Sequence, residues 1–182
     1  METLVQTKWT LDTAHSEVGF KVKHLMISTV TGKFEKFDVQ VESGKEDFTD
    51  AKVTFTADVD SISTSNEQRD GHLKSADFFE VDKYPQIKFV STSFKKSDNK
   101  GDYILEGQLT IKDVTNTIAI PVEYGGTVRD PWGNTKVAFS IDTKINRKEF
   151  GLGWNAALET GGVLVGEDIR ILADIQLAEQ AS

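Results

Sequence analysis

The residues able to do chemistry are few and scattered. Of the three histidines, His15, His24 and His72, no two stand at the H-x-H or H-x-x-x-H spacing that brings two imidazoles onto one metal ion, and there is no cysteine. A thiolate metal site, a disulfide and a cysteine nucleophile are therefore excluded together. Gly151-Leu152-Gly153-Trp154-Asn155-Ala156 fits the G-x-G-x-x-G/A dinucleotide fingerprint. That fingerprint works only between a strand and a helix of a βαβ unit, and none surrounds it. With Gly161-Gly162 close behind, these glycines read instead as a bent loop at a sheet rim. Asp58, Asp60, Glu106 and Glu123 fall on outward or strand-end positions, where solvated charge is expected and an acid/base pair is not. The sequence thus predicts no catalytic residue, no metal and no cofactor.

Polar groups suited to holding a ligand are easier to find. His24 closes the apolar row Val18-Phe20-Val22, as the polar end of a cavity or as a hydrogen-bonded core histidine. Arg69-Asp70-Gly71-His72 clusters charge that either grips a ligand's polar head or laces a helix face with ion pairs. Arg147, in Ile145-Asn146-Arg147-Lys148-Glu149-Phe150, either meets an anionic head group or pairs with Glu149. Arg69, His72 and Arg147 are the head-group candidates.

The elements that must carry these residues are strands. Alternation with period two recurs in Val18-Phe20-Val22-His24, Phe37-Val39-Val41, Ala51 to Val59, Ile87-Phe89, Tyr103 to Ile111, Ile118 to Tyr124, Val137-Phe139-Ile141 and Ile169 to Leu177, which makes about eight strands. Ser43-Gly44-Lys45, Asp98 to Gly101, Asp113 to Asn116 and Asp130-Pro131-Trp132-Gly133-Asn134 are turn chemistry between them. One helix is expected where Ser65 and Gln68 have capping-box spacing, running toward Phe79 with Leu73, Ala76 and Phe79 on one stripe, weakened by Gly71. It inserts between the third and fourth of these strands. Pro121 inside a strand predicts an edge or a bulge.

A sheet with one long apolar face must close on itself, because a single short helix cannot cover it. The fold class is all-β: an eight-stranded antiparallel up-and-down barrel. Strand parity points Phe20, Val22, His24, Phe55, Ala57, Phe89, Leu105, Phe139 and Ile171 into one elongated cavity. Small inward residues such as Ala51, Ala57, Gly107 and Ala173 either leave room for a ligand or seat opposing phenylalanines in a filled core. Phe34 is left out, since Phe34 and Phe37 have opposite parity and only a bulge turns both inward.

At 182 residues the chain has the size of one domain, 1–182, with 1–7 and 178–182 as flexible ends. A net charge of −8 and a pI near 4.9 disfavour a nucleic-acid partner. With 38% hydrophobic and 27% charged residues, the composition is that of a folded protein with no membrane span. A homodimer is left open. Met1 to Lys8 lacks a basic start followed by an apolar stretch, which predicts a cytoplasmic chain, or a periplasmic one if a signal was removed.

Several strings, taken in order, resemble the YceI-like family: Trp9-Thr10-Leu11-Asp12, His15-Ser16, Gly32-Lys33-Phe34, Ser61-Ile62-Ser63-Thr64, Arg69-Asp70-Gly71-His72-Leu73, Asp77-Phe78-Phe79, Tyr84 to Phe89, Leu109 to Thr115 and Asn146 to Leu152. The resemblance spans essentially the whole chain. It implies a lipocalin-like barrel with a helical insertion and an elongated apolar cavity for polyisoprenoid or other long-chain amphiphilic lipids. Family members are often periplasmic or secreted, and the opening segment departs from that pattern. The expected function is non-catalytic binding or carriage of such a lipid. The alternatives are an enzyme on the same barrel acting on an isoprenoid or glycan through His24 or His72, and a filled barrel serving as a stress-response interaction protein.

Overall fold

The computed structural model describes residues 7–24, 28–44, 48–75, 78–97, 102–150 and 165–180. Its strands are β1 (Thr7–Leu11), β2 (Glu17–His24), β3 (Ser28–Phe34), β4 (Phe37–Ser43), β5 (Lys52–Asp58), β6 (Ile62–Ser63), β7 (Gln86–Lys96), β8 (Asp102–Ile111), β9 (Val114–Arg129), β10 (Thr135–Asn146) and β11 (Val165–Glu179). Eight of them close an antiparallel barrel in the order β1-β4-β5-β7-β8-β9-β10-β11, with β11 returning to β1. Closure removes the free edges that an open sheet would expose.

The ring closes through β1, which the alternation reading had missed, and not through β2. Trp9 is the one buried residue of β1, too little to show a period. β2 shares the same edge of β11 further along, pairing Ile171 with Phe20, and leads outward to β3 and β6. β3 was also missed, because Gly32 interrupts its apolar row. Thr7, Ala178 and Glu179, assigned above to the flexible ends, are paired in the β1 ladders. Phe34 ends β3 and Phe37 begins β4, so parity does not carry across the turn between them, and both pack against the core. Excluding Phe34 was therefore an error.

The helix α1 (Glu67–Lys74) follows β6 and begins one residue later than the capping-box reading had it. Asn66 is the cap, its side-chain oxygen accepting the Arg69 N–H at 3.0 Å, while Ser65 holds a left-handed φ of 62°. Gly71 stays inside the helix, which stops at Lys74, and Ala76 lies outside the described residues. Between β8 and β9 the turn is Lys112–Asp113, a two-residue connection with Lys112 at φ 58°, and Asn116 already belongs to the strand.

Pro121 marks an edge. Among the described residues, 114–121 of β9 pair with β8 but not with β10, and 142–146 of β10 pair with β11 alone. The wall splays there, so the missing N–H of Pro121 disturbs no second ladder. The short 3-10 turn Arg147–Phe150 folds into that gap, with Arg147 and Phe150 both buried and Asn116 Nδ2 donating to the Glu149 carbonyl at 2.8 Å.

Between β1 and β2 the chain kinks through a 3-10 turn, Thr13–His15, capped by Asp12, which accepts the Ala14 N–H. Lys136 Nζ donates to Asp12 Oδ2 at 2.7 Å, and His15 Nδ1 lies 2.9 Å from the same oxygen. Those contacts, the Lys136 bond first, hold the Asp12 carboxyl at about 2, below its ordinary 3.8. A depressed folded-state pKa stabilises the fold above the unfolded value, and that stabilisation disappears as pH falls from about 4 through about 2. Asp12→Asn should cost about 1.5 kcal/mol at neutral pH, with the difference from the parent vanishing near pH 2 in denaturant titrations. An equal difference at both pH values would refute the assignment.

Candidate functional site

Among the described residues the barrel interior holds two separate apolar cavities, where strand parity had suggested one. The larger, about 140 Å³, lies under the splayed end, and its walls include Phe20, Val22, Phe55, Leu109, Ile145 and Ile171. The smaller, about 60 Å³, lies toward the β1 closure among Phe48, Leu105, Val122, Phe139, Ile141 and Ile175. Parity fixes which face a side chain takes but not its height along the barrel axis, so it could not reveal the division.

The cross-strand registers locate the partition. Val39, Phe55, Phe89 and Leu109 are successive partners across β4, β5, β7 and β8, and Val39 lines the small cavity while Phe55 and Leu109 line the large one. On the opposite side Ile141, Ala173 and Val18 form the matching row. Phe89 is buried at this waist and lines neither cavity.

Small inward residues there make no void. A Cβ on Gly107 would lie 2.5 Å from the Phe89 ring and 2.5 Å from the Val90 carbonyl oxygen, because β7 bulges toward it between Ser91 and Ser93. Gly32 is likewise covered by the Phe20 ring. Ala57 is 1% exposed and lines neither cavity. Of the two expectations for the small inward residues, seating an opposed ring holds at Gly107.

The head-group candidates separate. Arg147 reaches the large cavity and is the only charged residue among its described lining. It is 2% exposed, and no buried side-chain nitrogen or oxygen among the described residues lacks a hydrogen-bond partner. Its burial follows from the inward turn after β10, a tertiary event without a local signal. Glu149 is exposed. Arg69 instead donates from Nε to Thr64 Oγ1 and from Nη2 to the Thr64 carbonyl, both at 2.8 Å, while Asp70 accepts from the Thr64 N–H and hydroxyl. That network fixes the start of α1 and does not line the cavity. His72 stands edge-on to Phe78 at 5.1 Å, behind the cavity wall that Phe78 helps form. His24 ends β2, and its side chain lies outside the described residues, as does the whole 151–156 glycine string.

Sequence reasoning missed part of the wall. Phe34, Leu73, Phe78 and Phe79 close the large cavity from β3 and the segment around α1. Leu73 and Phe79 belonged to the expected helical stripe, which was the available signal. Ile87, Ile111, Ile145 and Ile169 also line it and sit on the same parity as the residues chosen.

Against known proteins, the family model described as the YceI-like domain matches residues 9–177. The chain belongs to the YceI-like family. This YceI-like chain is 43% identical over 173 residues to a UPF0312 protein of Staphylococcus aureus (strain USA300), covering 94% of the chain and 98% of that protein. Among solved structures it is similar to the Campylobacter jejuni YCEI protein, with a TM-score of 0.73, 30% identity and full coverage of both chains. A polyisoprenoid-binding domain from Saccharophagus degradans shares the fold at a TM-score of 0.71 and 13% identity, over 94% of this chain and 98% of that one. Among the described residues no helix is long and apolar enough to cross a membrane, and no group of three or more metal-ligating side chains forms.

Proposed function

We propose that this YceI-like barrel binds, without catalysis, a polyisoprenoid-type or similar long-chain lipid, taken up through the large cavity. The observation that carries this reading is an interior cavity walled by aliphatic and aromatic side chains with one buried guanidinium, Arg147, at its edge. Each methylene moved from water into such a lining is worth about 0.8 kcal/mol, so roughly ten reach micromolar-scale affinity before ordering costs. The polyisoprenoid-binding description of the Saccharophagus degradans domain supports the same ligand class. Arg147 is placed to orient a polar or anionic terminus, while Arg69 and His72 serve the helix and the wall.

At about 140 and 60 Å³ the cavities are smaller than the roughly 300–1,000 Å³ of ordinary small-molecule sites. A long chain must therefore displace the waist rings or the wall of Leu73, Phe78 and Phe79. The experiment is mass spectrometry of organic extracts from the purified protein, followed by uptake of a fluorescent farnesyl analogue by the stripped protein. Near-stoichiometric recovery of an apolar-chain lipid, with saturable uptake, is expected. Lipid-free protein that takes up no analogue would leave the filled barrel as the better reading.

A further inference from the structure

The outer face of the strands that wall the large cavity carries an unusual row of charge. Lys144 on β10 is the direct cross-strand partner of Arg170 on β11, which is the partner of Lys21 on β2. Three cations stand side by side across three adjacent strands, an arrangement that like-charge repulsion disfavours. Lys23 adds a fourth in the same shallow groove, its Nζ donating to Thr29 Oγ1 at 3.1 Å.

Neighbouring carboxylates compensate this only in part. Asp142 takes a two-pronged contact from Arg170, at 2.8 Å from Nε and 2.6 Å from Nη2, and Asp168 is the other acid in the groove. Four cations against two carboxylates leave a surplus of two on a chain whose formal net charge is −8, so the rest of the molecule carries −10. An anionic surface would repel the acidic remainder of the molecule and favour the orientation that presents this groove.

We propose that the groove on the outer face of β10, β11, β2 and β3 lined by Lys21, Lys23, Lys144 and Arg170 is a docking surface for an anionic lipid bilayer. The inference rests on the lipid-binding reading for its choice of partner. Alternation puts Phe20, Val22, Ile145, Ile169 and Ile171 against the cavity and Lys21, Lys23, Lys144 and Arg170 on the reverse of the same strands. A bilayer held on that face lies one sheet thickness from the site that would take a lipid from it. A nucleic acid is the poorer fit, because four cations on a chain this acidic cannot follow a phosphate backbone.

The test is flotation of the full chain with vesicles of phosphatidylcholine alone and of phosphatidylcholine with an equal part of phosphatidylglycerol, at low and high salt. Binding should require phosphatidylglycerol and weaken as salt rises. Lys21→Gln with Lys144→Gln should lower the partition coefficient about thirtyfold, two basic contacts' worth. The same double variant should keep its melting temperature and its farnesyl-analogue uptake, so failure of docking is distinguishable from failure of the cavity reading. Docking would be overturned by no binding to anionic vesicles, by equal binding to phosphatidylcholine alone, or by undiminished binding by the double variant. Tighter binding to soluble polyglutamate than to vesicles, lost in the same variant, would assign the face to an acidic protein and overturn it as well.

Discussion

Gly107→Val should cost the barrel about 3 kcal/mol, the upper end of the ordinary overpacking range. For a chain of this size that is a fall of about 6–12 °C in melting temperature. The reason is what surrounds the missing side chain. A Cβ there meets the Val90 carbonyl oxygen at 2.5 Å and the Ser91 Cα at 2.8 Å, both backbone atoms of the bulged β7, as well as the Phe89 ring. A ring can swing aside, but the backbone of a strand paired on both edges can move only by breaking ladder bonds. Gly71, on the exposed face of α1, is the control, since nothing lies within 4 Å of an added Cβ. Gly71→Ala should raise stability by up to about 1 kcal/mol through helix propensity. Equal melting temperatures for Gly107→Val and the parent would show that the bulged backbone of β7 does not lie against Gly107.

The same waist separates what the sequence could disclose from what it could not. Phe20, Val22, Ile169 and Ile171 were legible as inward because alternation is a local property and the strands are long enough to display it. β1 and β3 were not, since one has a single buried residue and the other places Gly32 where an apolar side chain was looked for. Gly107 could be read either as space or as a seat for a ring, because a small residue is visible in a sequence while the Phe89 ring that covers it comes from another strand. Arg147 posed a related difficulty. Its string left open a head-group contact or a pair with Glu149, and the splay between β9 and β10 draws the turn inward and buries the guanidinium at the cavity edge, a tertiary event that the string does not signal. For Arg69 and His72 the sequence left a head-group grip and a structural role at the helix open; Arg69 donates to Thr64 at the helix start and His72 stands against Phe78 behind the wall.

Ile171→Trp should abolish binding of a farnesyl analogue, lowering affinity at least tenfold, or about 1.4 kcal/mol, while leaving the fold intact. Ile171 is half-buried in the wall of the large cavity, directly across from Phe20 on β2 and Thr143 on β10. An indole there projects into existing space, so its overpacking cost should be well below that of a residue forced into the waist. Leu172→Trp is the matched control: it adds the same ring one residue along β11, on the reverse face of the sheet, and should leave affinity unchanged. Ala57→Phe supplies the opposite contrast, because Ala57 is enclosed and borders no cavity, so its variant should lose about 1–3 kcal/mol of stability. The three substitutions separate occupancy of the cavity from integrity of the barrel. Undiminished affinity in a folded Ile171→Trp protein would place the ligand elsewhere. Equal losses from Ile171→Trp and Leu172→Trp would show that the ring acts through the strand and not by filling the cavity.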